Sequence, residues 1–157
     1  DVSKQLAIWA MAIKAKLTVD DMVNADLPYA PPFSLAIDHS IAAAHIIQNK
    51  LKGRMQGISS TAVKNKLDAG GAPYLLDLRG PDEFEQMRLG VGEHLIPLGA
   101  LRGRLGELPE DKNAEIICYC KISLRGYEGA RVLEGHGWKN VKVMEGGIAA
   151  WPFRREK

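Results

Sequence analysis

The hydrophobic positions of this chain fall into two textures that meet near residue 55. Beyond that point, short apolar runs alternate with amphipathic segments. "YLLDL" (Tyr74 to Leu78), "HLIPL", "EIICY" and "NVKVM" read as short buried strands. Helical segments are predicted between them. "SSTAVKNKLDAGG" carries a cap at Ser59 or Ser60 and closes on Gly70 and Gly71, and "PDEFEQM" opens on Pro81. "ALRGRLGEL" reads as helical, "RGYEGARVLEGHG" as a helix, and "GGIAAW" as a last turn. Strands alternating with helices at this spacing predict an α/β fold whose parallel sheet is covered on both faces. In such sheets functional sites lie beyond the carboxyl ends of the strands, and Cys120 falls at one of these ends.

Residues 1 to 52 read differently, as helices with an interruption. "KQLAIWAMAIKAKL" supplies a helix able to pack a broad apolar face. Thr18 with Asp20 and Asp21 predicts a capped second helix that stops near Leu27. "YAPPF", Tyr29 to Phe33, must be extended, because proline fixes its own φ and excludes helical geometry from its predecessor. A third helix follows, from about Ala36 to Lys52, with Gly53 ending it. The predicted domains are therefore a helical piece, 1–54, and an α/β domain, 55–157.

At 157 residues and 46% hydrophobic, one core with an appendage is the expected size. With 21 Lys+Arg against 19 Asp+Glu, the net charge of +2 supplies no global field for nucleic acid or an anionic membrane, so neither is an expected partner. The most apolar stretch, "LAIWAMAI", is too short to span a bilayer and lacks the features of a secretion signal. Cys118 and Cys120 stand two apart on a predicted strand, a poor geometry for bridging each other. Reduced thiols, and hence a cytoplasmic protein, are expected. The opening "DVSKQL" fits a piece of something longer.

The segment "CKISLRG" is then a strand-to-helix turn whose main-chain N–H groups, with the positive end of the following helix, form a cradle for a small anion. A thiolate at Cys120 suits it. Free cysteine has a pKa of about 8.5, which helix N-termini and adjacent cations lower, and Lys121 and Arg125 are the nearby cations. A thiolate attacks electrophilic sulfur, and the same cradle can hold the resulting anionic persulfide. Cys118 fits a buried apolar residue instead. On charge alone, Arg125 suits an anion binder and a solvated surface charge equally.

From about Met55 to Trp151 the chain resembles the rhodanese-like sulfurtransferase domain. The resemblance is carried by "YLLDLRGPDEFEQ", "IPLGALRGRLGELPEDK" and "IICYCKISLRGYEGARVLEGHGWKNVKVMEGGIAAW". It implies a five-stranded, mostly parallel sheet flanked by helices, and sulfur transfer through a persulfide on a catalytic Cys120. It implies a substrate-binding loop of Lys121, Ile122, Ser123, Leu124 and Arg125, and structural support from Asp77 and Arg79. Two departures stand out. Ser123 occupies a position where many members have glycine, so a need for positive φ there would strain this loop. "QMRLG" puts Arg88 in place of a histidine common in the family. A related branch of phosphatases uses a longer cysteine-to-arginine loop, whereas here only four residues intervene, a cradle better matched to sulfur than to phosphate.

Residues 1–52, through "AIKAKLTVDDMVNADLPYAPPFS" and "AIDHSIAAAHIIQNKL", resemble the end of the dimerisation domain of flavin-dependent pyridine nucleotide-disulfide oxidoreductases. Together the two resemblances imply the C-terminal part of a coenzyme A-disulfide or persulfide reductase, or of an NADH oxidase, acting as a homodimer. Tyr29 then either helps line the partner subunit's site or anchors a rigid turn. The chain has no glycine-rich dinucleotide fingerprint, so no cofactor is expected within it, and FAD and NAD(P)H belong to upstream domains. The implied partners are small sulfane-sulfur donors (coenzyme A persulfide, thiosulfate or polysulfide) and a thiol acceptor. The alternative is a catalytically quiet module for sulfur sensing, docking or dimerisation.

Four histidines show no ligand spacing, so no metal site is expected, and His136 reads as a helix-end cap. Trp138 and Trp151 read as lid or core aromatics. "RGRLGELPEDK" reads as a solvated charged connection, and the tail "FRREK" as a frayed basic terminus.

Overall fold

The computed structural model describes residues 2–27 and 37–157. The chain divides into two compact units, Asp1–Arg54 and Met55–Lys157. Tyr29 and the "YAPPF" turn lie outside the described residues.

The first unit contains α1 (Val2–Lys14), α2 (Val19–Val23) and α3 (His39–Leu51). Thr18 caps α2 with a reciprocal box: its Oγ1 accepts from the Asp21 N–H at 3.1 Å, and the Asp21 carboxylate accepts from the Thr18 N–H at 2.7 Å. The helix stops at Val23 rather than near Leu27. Asn24 ends it by donating its side-chain amide back to the Asp20 carbonyl at 2.8 Å. Asp38 caps α3 by accepting from the Ser40 N–H, and Gly53 follows it at φ +65°. Among the described residues the core of this unit is Ala12, Met22 and Ala44, with Ile8, Trp9 and Val23 half-buried around them. Among the described residues the broad apolar face of α1 is only partly packed, with Ala12 buried against Met22 of α2 and Ala44 of α3. Leu6, Met11 and Ile13 are exposed.

The second unit is a five-stranded sheet of order β1-β5-β4-β2-β3, made of β1 (Gly57–Ile58), β2 (Tyr74–Asp77), β3 (His94–Leu95), β4 (Ile116–Tyr119) and β5 (Val141–Met144). Every pairing is parallel, where mostly parallel was expected. The helices are α4 (Ser60–Asp68), α5 (Pro81–Gln86), α6 (Leu98–Leu101) and α7 (Leu124–Gly135), with 3₁₀ turns at Leu105–Glu107 and Gly147–Ala150. Successive side chains of a strand point to opposite faces, and both faces here are buried. Leu76, Ile116, Cys118, Val141 and Val143 meet Ala130 and Leu133 of α7 on one face. Leu75, Ile117, Tyr119 and Met144 meet Val63 of α4, Ile148 and Trp151 on the other. This double burial explains the unbroken apolar runs.

β4 lies between β2 and β5, with Asp77 opposite Tyr119 and Cys118 opposite both Leu76 and Val143. The carboxyl ends of three strands thus gather at one edge. Trp138 and Trp151 are both core residues, and the His136 ring meets the Val132 carbonyl at 2.7 Å. Two expectations are corrected. The "RGRLGELPEDK" connection buries Leu108, while Arg104 and Glu107 pair on its exposed side. The tail is pinned rather than frayed: Arg88 and Glu156 form an antiparallel bridge, exchanging two main-chain hydrogen bonds of 2.9 Å. Among the described residues no helix is long and apolar enough to cross a membrane.

Candidate functional site

Cys120 is the first residue past β4 and is only 1% exposed. The Ser123 N–H donates to its Sγ at 3.3 Å. Outward, the N–H groups of Ile148 and Ala149 take the carbonyls of Cys120 and Lys121, at 2.9 and 3.0 Å. That contact is close. A Cβ on Gly147, which sits at φ +56°, would lie 2.3 Å from the Cys120 carbonyl oxygen. The carbonyl side of the loop is thus tied to the 3₁₀ turn after β5. Gly126 lets α7 press onto β4, since a Cβ there would meet the Tyr119 Cα at 3.2 Å.

Ser123 has φ 110° and ψ −28°, so the positive φ anticipated at this position is present on a residue with a side chain. Its hydroxyl offsets the strain. Ser123 Oγ accepts from the Gly146 N–H at 2.7 Å and reaches the Met144 carbonyl at 3.4 Å, joining the loop to the end of β5. Ser123 stands at the N-cap of α7, yet its side chain makes no capping bond. The first-turn N–H groups of a helix have no intrahelical partner, and this serine does not occupy them. They stay available to an anionic sulfur.

Arg125 is not a loose surface charge. Its guanidinium grips the Glu83 carboxylate with two bonds, Nη1 to Oε2 at 2.6 Å and Nη2 to Oε1 at 2.8 Å. The Arg125 hydrogen bonds hold the Glu83 carboxyl down to about 2, helped by the Gly80 N–H and by Arg79. A depressed carboxylate stabilises its fold fully above its ordinary value and loses that contribution as pH falls toward 2. The clamp is therefore closed throughout the neutral range. Glu83 raises Arg125 in turn, and Cys120 adds to that shift. Cys118, by contrast, has its thiol pushed far up by burial in the core.

Asp77 and Arg79 form a buried ion pair beneath this assembly, 2.6 Å between Arg79 Nη2 and Asp77 Oδ2. Arg79 also donates to the carbonyls of Glu83 and Met87, at 3.1 and 2.7 Å. It thereby holds α5, which carries Glu83, against the sheet edge.

The family model for the rhodanese-like domain matches residues 59–152. The chain belongs to the rhodanese-like domain family. It is 31% identical over 98 residues to a sulfurtransferase of Allochromatium vinosum, covering 60% of this chain and 85% of that protein. Two solved structures align with both units. Bacillus anthracis CoADR-RHD in its reduced state is 36% identical with a TM-score of 0.85, over 95% of this chain. An NAD-dependent persulfide reductase from A. fulgidus is 36% identical with a TM-score of 0.82, over 96% of this chain. The chain spans about a quarter of each, 26%.

Within the rhodanese-like domain, the Ser123 N–H meets the Cys120 sulfur, Arg125 stands in the first turn of α7 held by Glu83, and the Asp77–Arg79 pair anchors the α5 that carries Glu83. Ile122 and Leu124 are exposed at the rim, at 65% and 63%. Lys121 is exposed and lines a cleft of about 390 Å³ with Glu83, Met87, Ile148 and Arg155. Sequence reasoning missed Glu83. Its residue type has a local explanation, because its carboxylate also accepts from the Gly80 N–H at 3.1 Å as the N3 acid of α5. Nothing in the sequence signalled its second partner. Among the described residues no group of three or more His, Cys, Asp or Glu side chains is placed to hold a metal ion.

Ser123 yields a paired prediction. Ser123→Ala keeps the positive φ and loses the hydroxyl bonds, and is expected to cost about 1–2 kcal/mol. Ser123→Gly relieves the φ while losing the same bonds, so it should fall within roughly 1 kcal/mol of the parent. Urea denaturation of both variants checks the order. A glycine variant less stable than the alanine variant would contradict it.

Proposed function

We propose that the rhodanese-like domain is a sulfurtransferase working through a Cys120 persulfide. The observation that carries this reading is the Cys120 sulfur at a strand end, facing the Ser123 N–H and the uncapped N-terminus of α7. With thiosulfate, the Cys120 thiolate attacks the outer sulfur. One S–S bond forms, the S–S bond of the donor breaks, and sulfite leaves with the electron pair. An acceptor thiolate then attacks the terminal sulfur of the persulfide, and Cys120 leaves as thiolate. Loop N–H groups stabilise the anionic terminal sulfur, and Arg125, fixed by Glu83, supplies a positive field beside it.

The name of the Allochromatium relative supports transfer of sulfur, and that of the A. fulgidus neighbour supports a persulfide as donor. We further infer that the chain is the C-terminal part of a cytoplasmic, homodimeric, FAD- and NAD(P)H-dependent coenzyme A-disulfide or persulfide reductase. In this reading 1–54 is the end of its dimerisation domain and Tyr29 belongs to the partner-facing site. The support is the alignment of both units with the two neighbours. Flavin and nicotinamide would be held by residues outside this chain, which has no dinucleotide fingerprint.

The near-complete burial of Cys120 favours the second reading, a quiet module for sensing, docking or dimerisation. Incubation with thiosulfate or coenzyme A persulfide, followed by intact-mass and peptide analysis, decides between them. The proposal expects one added sulfur on Cys120, removed by a thiol acceptor. Absence of an adduct with every donor overturns it.

A further inference from the structure

The cleft beside the Cys120 loop joins Lys121 of that loop to a second cation from the C-terminal tail, Arg155. It is walled by α5, by the loop, by the 3₁₀ turn after β5, and by the C-terminal tail. Four charged side chains line it. Two are neutralised: Arg79 by Asp77, and Glu83 by Arg125. Lys121 and Arg155 have no carboxylate partner among the described residues. The cleft therefore presents two uncompensated cations.

Arg155 is placed there by construction of the fold. Its Nη2 donates to the Trp151 carbonyl at 2.6 Å, and its Nη1 meets the Met87 sulfur at 3.3 Å. Trp151 is fully buried, and Glu156, the next residue, is bridged to Arg88. The tail thus works as a strap fixed at both sides of the arginine. A guanidinium has five N–H donors, so two bonds to the scaffold leave others for a ligand. Lys121, which lines the cleft, directly follows Cys120 in the loop, and two other walls of the cleft are tied to that loop. The Ile148 N–H binds the Cys120 carbonyl, and Glu83 holds Arg125 at the far end of the loop.

We propose that Arg155, with Lys121, forms an anion subsite that takes the charged end of the sulfur donor and makes Arg155 a specificity-determining residue. This rests on the sulfurtransferase reading. In thiosulfate the charged end is the sulfonate, which departs as sulfite, so the subsite would hold the leaving group while its sulfane partner meets Cys120. An anionic donor gains from both cations, and a neutral one gains nothing.

The test uses Arg155→Gln and Arg155→Lys in the full chain. Thiosulfate turnover in Arg155→Gln is expected to show KM raised about tenfold with kcat within about twofold, and Arg155→Lys to recover most of the loss. Cys120 modification is then compared between two aromatic disulfides, neutral 4,4′-dithiodipyridine and anionic 5,5′-dithiobis(2-nitrobenzoate), whose leaving thiolate carries the carboxylate. Arg155→Gln should slow the anionic reagent selectively. Equal slowing of both reagents would mean a structural role, and no slowing of either would mean no subsite, and each result overturns the proposal. If the unaltered protein takes no sulfur from thiosulfate, the sulfurtransferase reading fails, while the reagent pair still decides the subsite.

Discussion

Replacing the Cys120 sulfur by oxygen is expected to abolish sulfur transfer while leaving the fold in place. Cys120→Ser keeps the size of the side chain and its place opposite the Ser123 N–H. A hydroxyl, however, is not ionised near neutrality and cannot carry sulfane sulfur. The expected loss in the rate of sulfite release from thiosulfate is about a thousandfold or more, the scale for removing a nucleophile. Cys118→Ser is the opposite case. Cys118 is fully buried among Leu76, Ile116 and Val143, where a hydroxyl without a built partner costs about 1–3 kcal/mol. It should weaken the protein in a denaturant melt and leave the activity of the folded fraction unchanged. The idea is lost if Cys120→Ser still takes up sulfur, or if the added sulfur maps to Cys118.

The second large effect concerns stability. Arg79→Met removes the cation from a carboxylate that is 0% exposed, leaving Asp77 buried and uncompensated. Breaking one side of such a pair costs about 3–5 kcal/mol. Arg79 also ties down the Glu83 and Met87 carbonyls, so α5 loses its hold and the Glu83–Arg125 clamp loosens with it. Sulfur transfer should fall as well, although Arg79 itself touches no sulfur. Asp77→Asn is expected to be similarly destabilising. Because the two residues answer each other, the double variant should lose clearly less than the sum of the single losses. Urea melts of the four proteins measure this, and strictly additive losses would show that the pair is not the unit described here.

The same residues show where sequence and structure part. Thr18 with Asp21, Ser59 before α4 and Pro81 at the head of α5 act within one helical turn, so their signal is contained in neighbouring positions. The short apolar runs of β2, β4 and β5 required only that both faces of a parallel sheet be covered. β1 was not visible as a run, because its two residues carry no periodicity to detect. The strain at Ser123 was legible as a question, since the position called for glycine. Its answer was not, because the compensating hydroxyl bond goes to Gly146, 23 residues away.

What the sequence determined by itself was the alternation of elements, the strand end that bears Cys120, and the loop of four residues closing on Arg125. These are short-range properties: backbone preference, burial pattern and spacing. Only the tertiary structure decided that Glu83 holds Arg125 across 42 positions, and that the tail returns across 68 to set Arg155 against Met87. Polar side chains of these types are equally at home in water, so their sequence positions carry no trace of a distant partner. The choice is made when packing of the sheet and helices has already fixed which surfaces face one another.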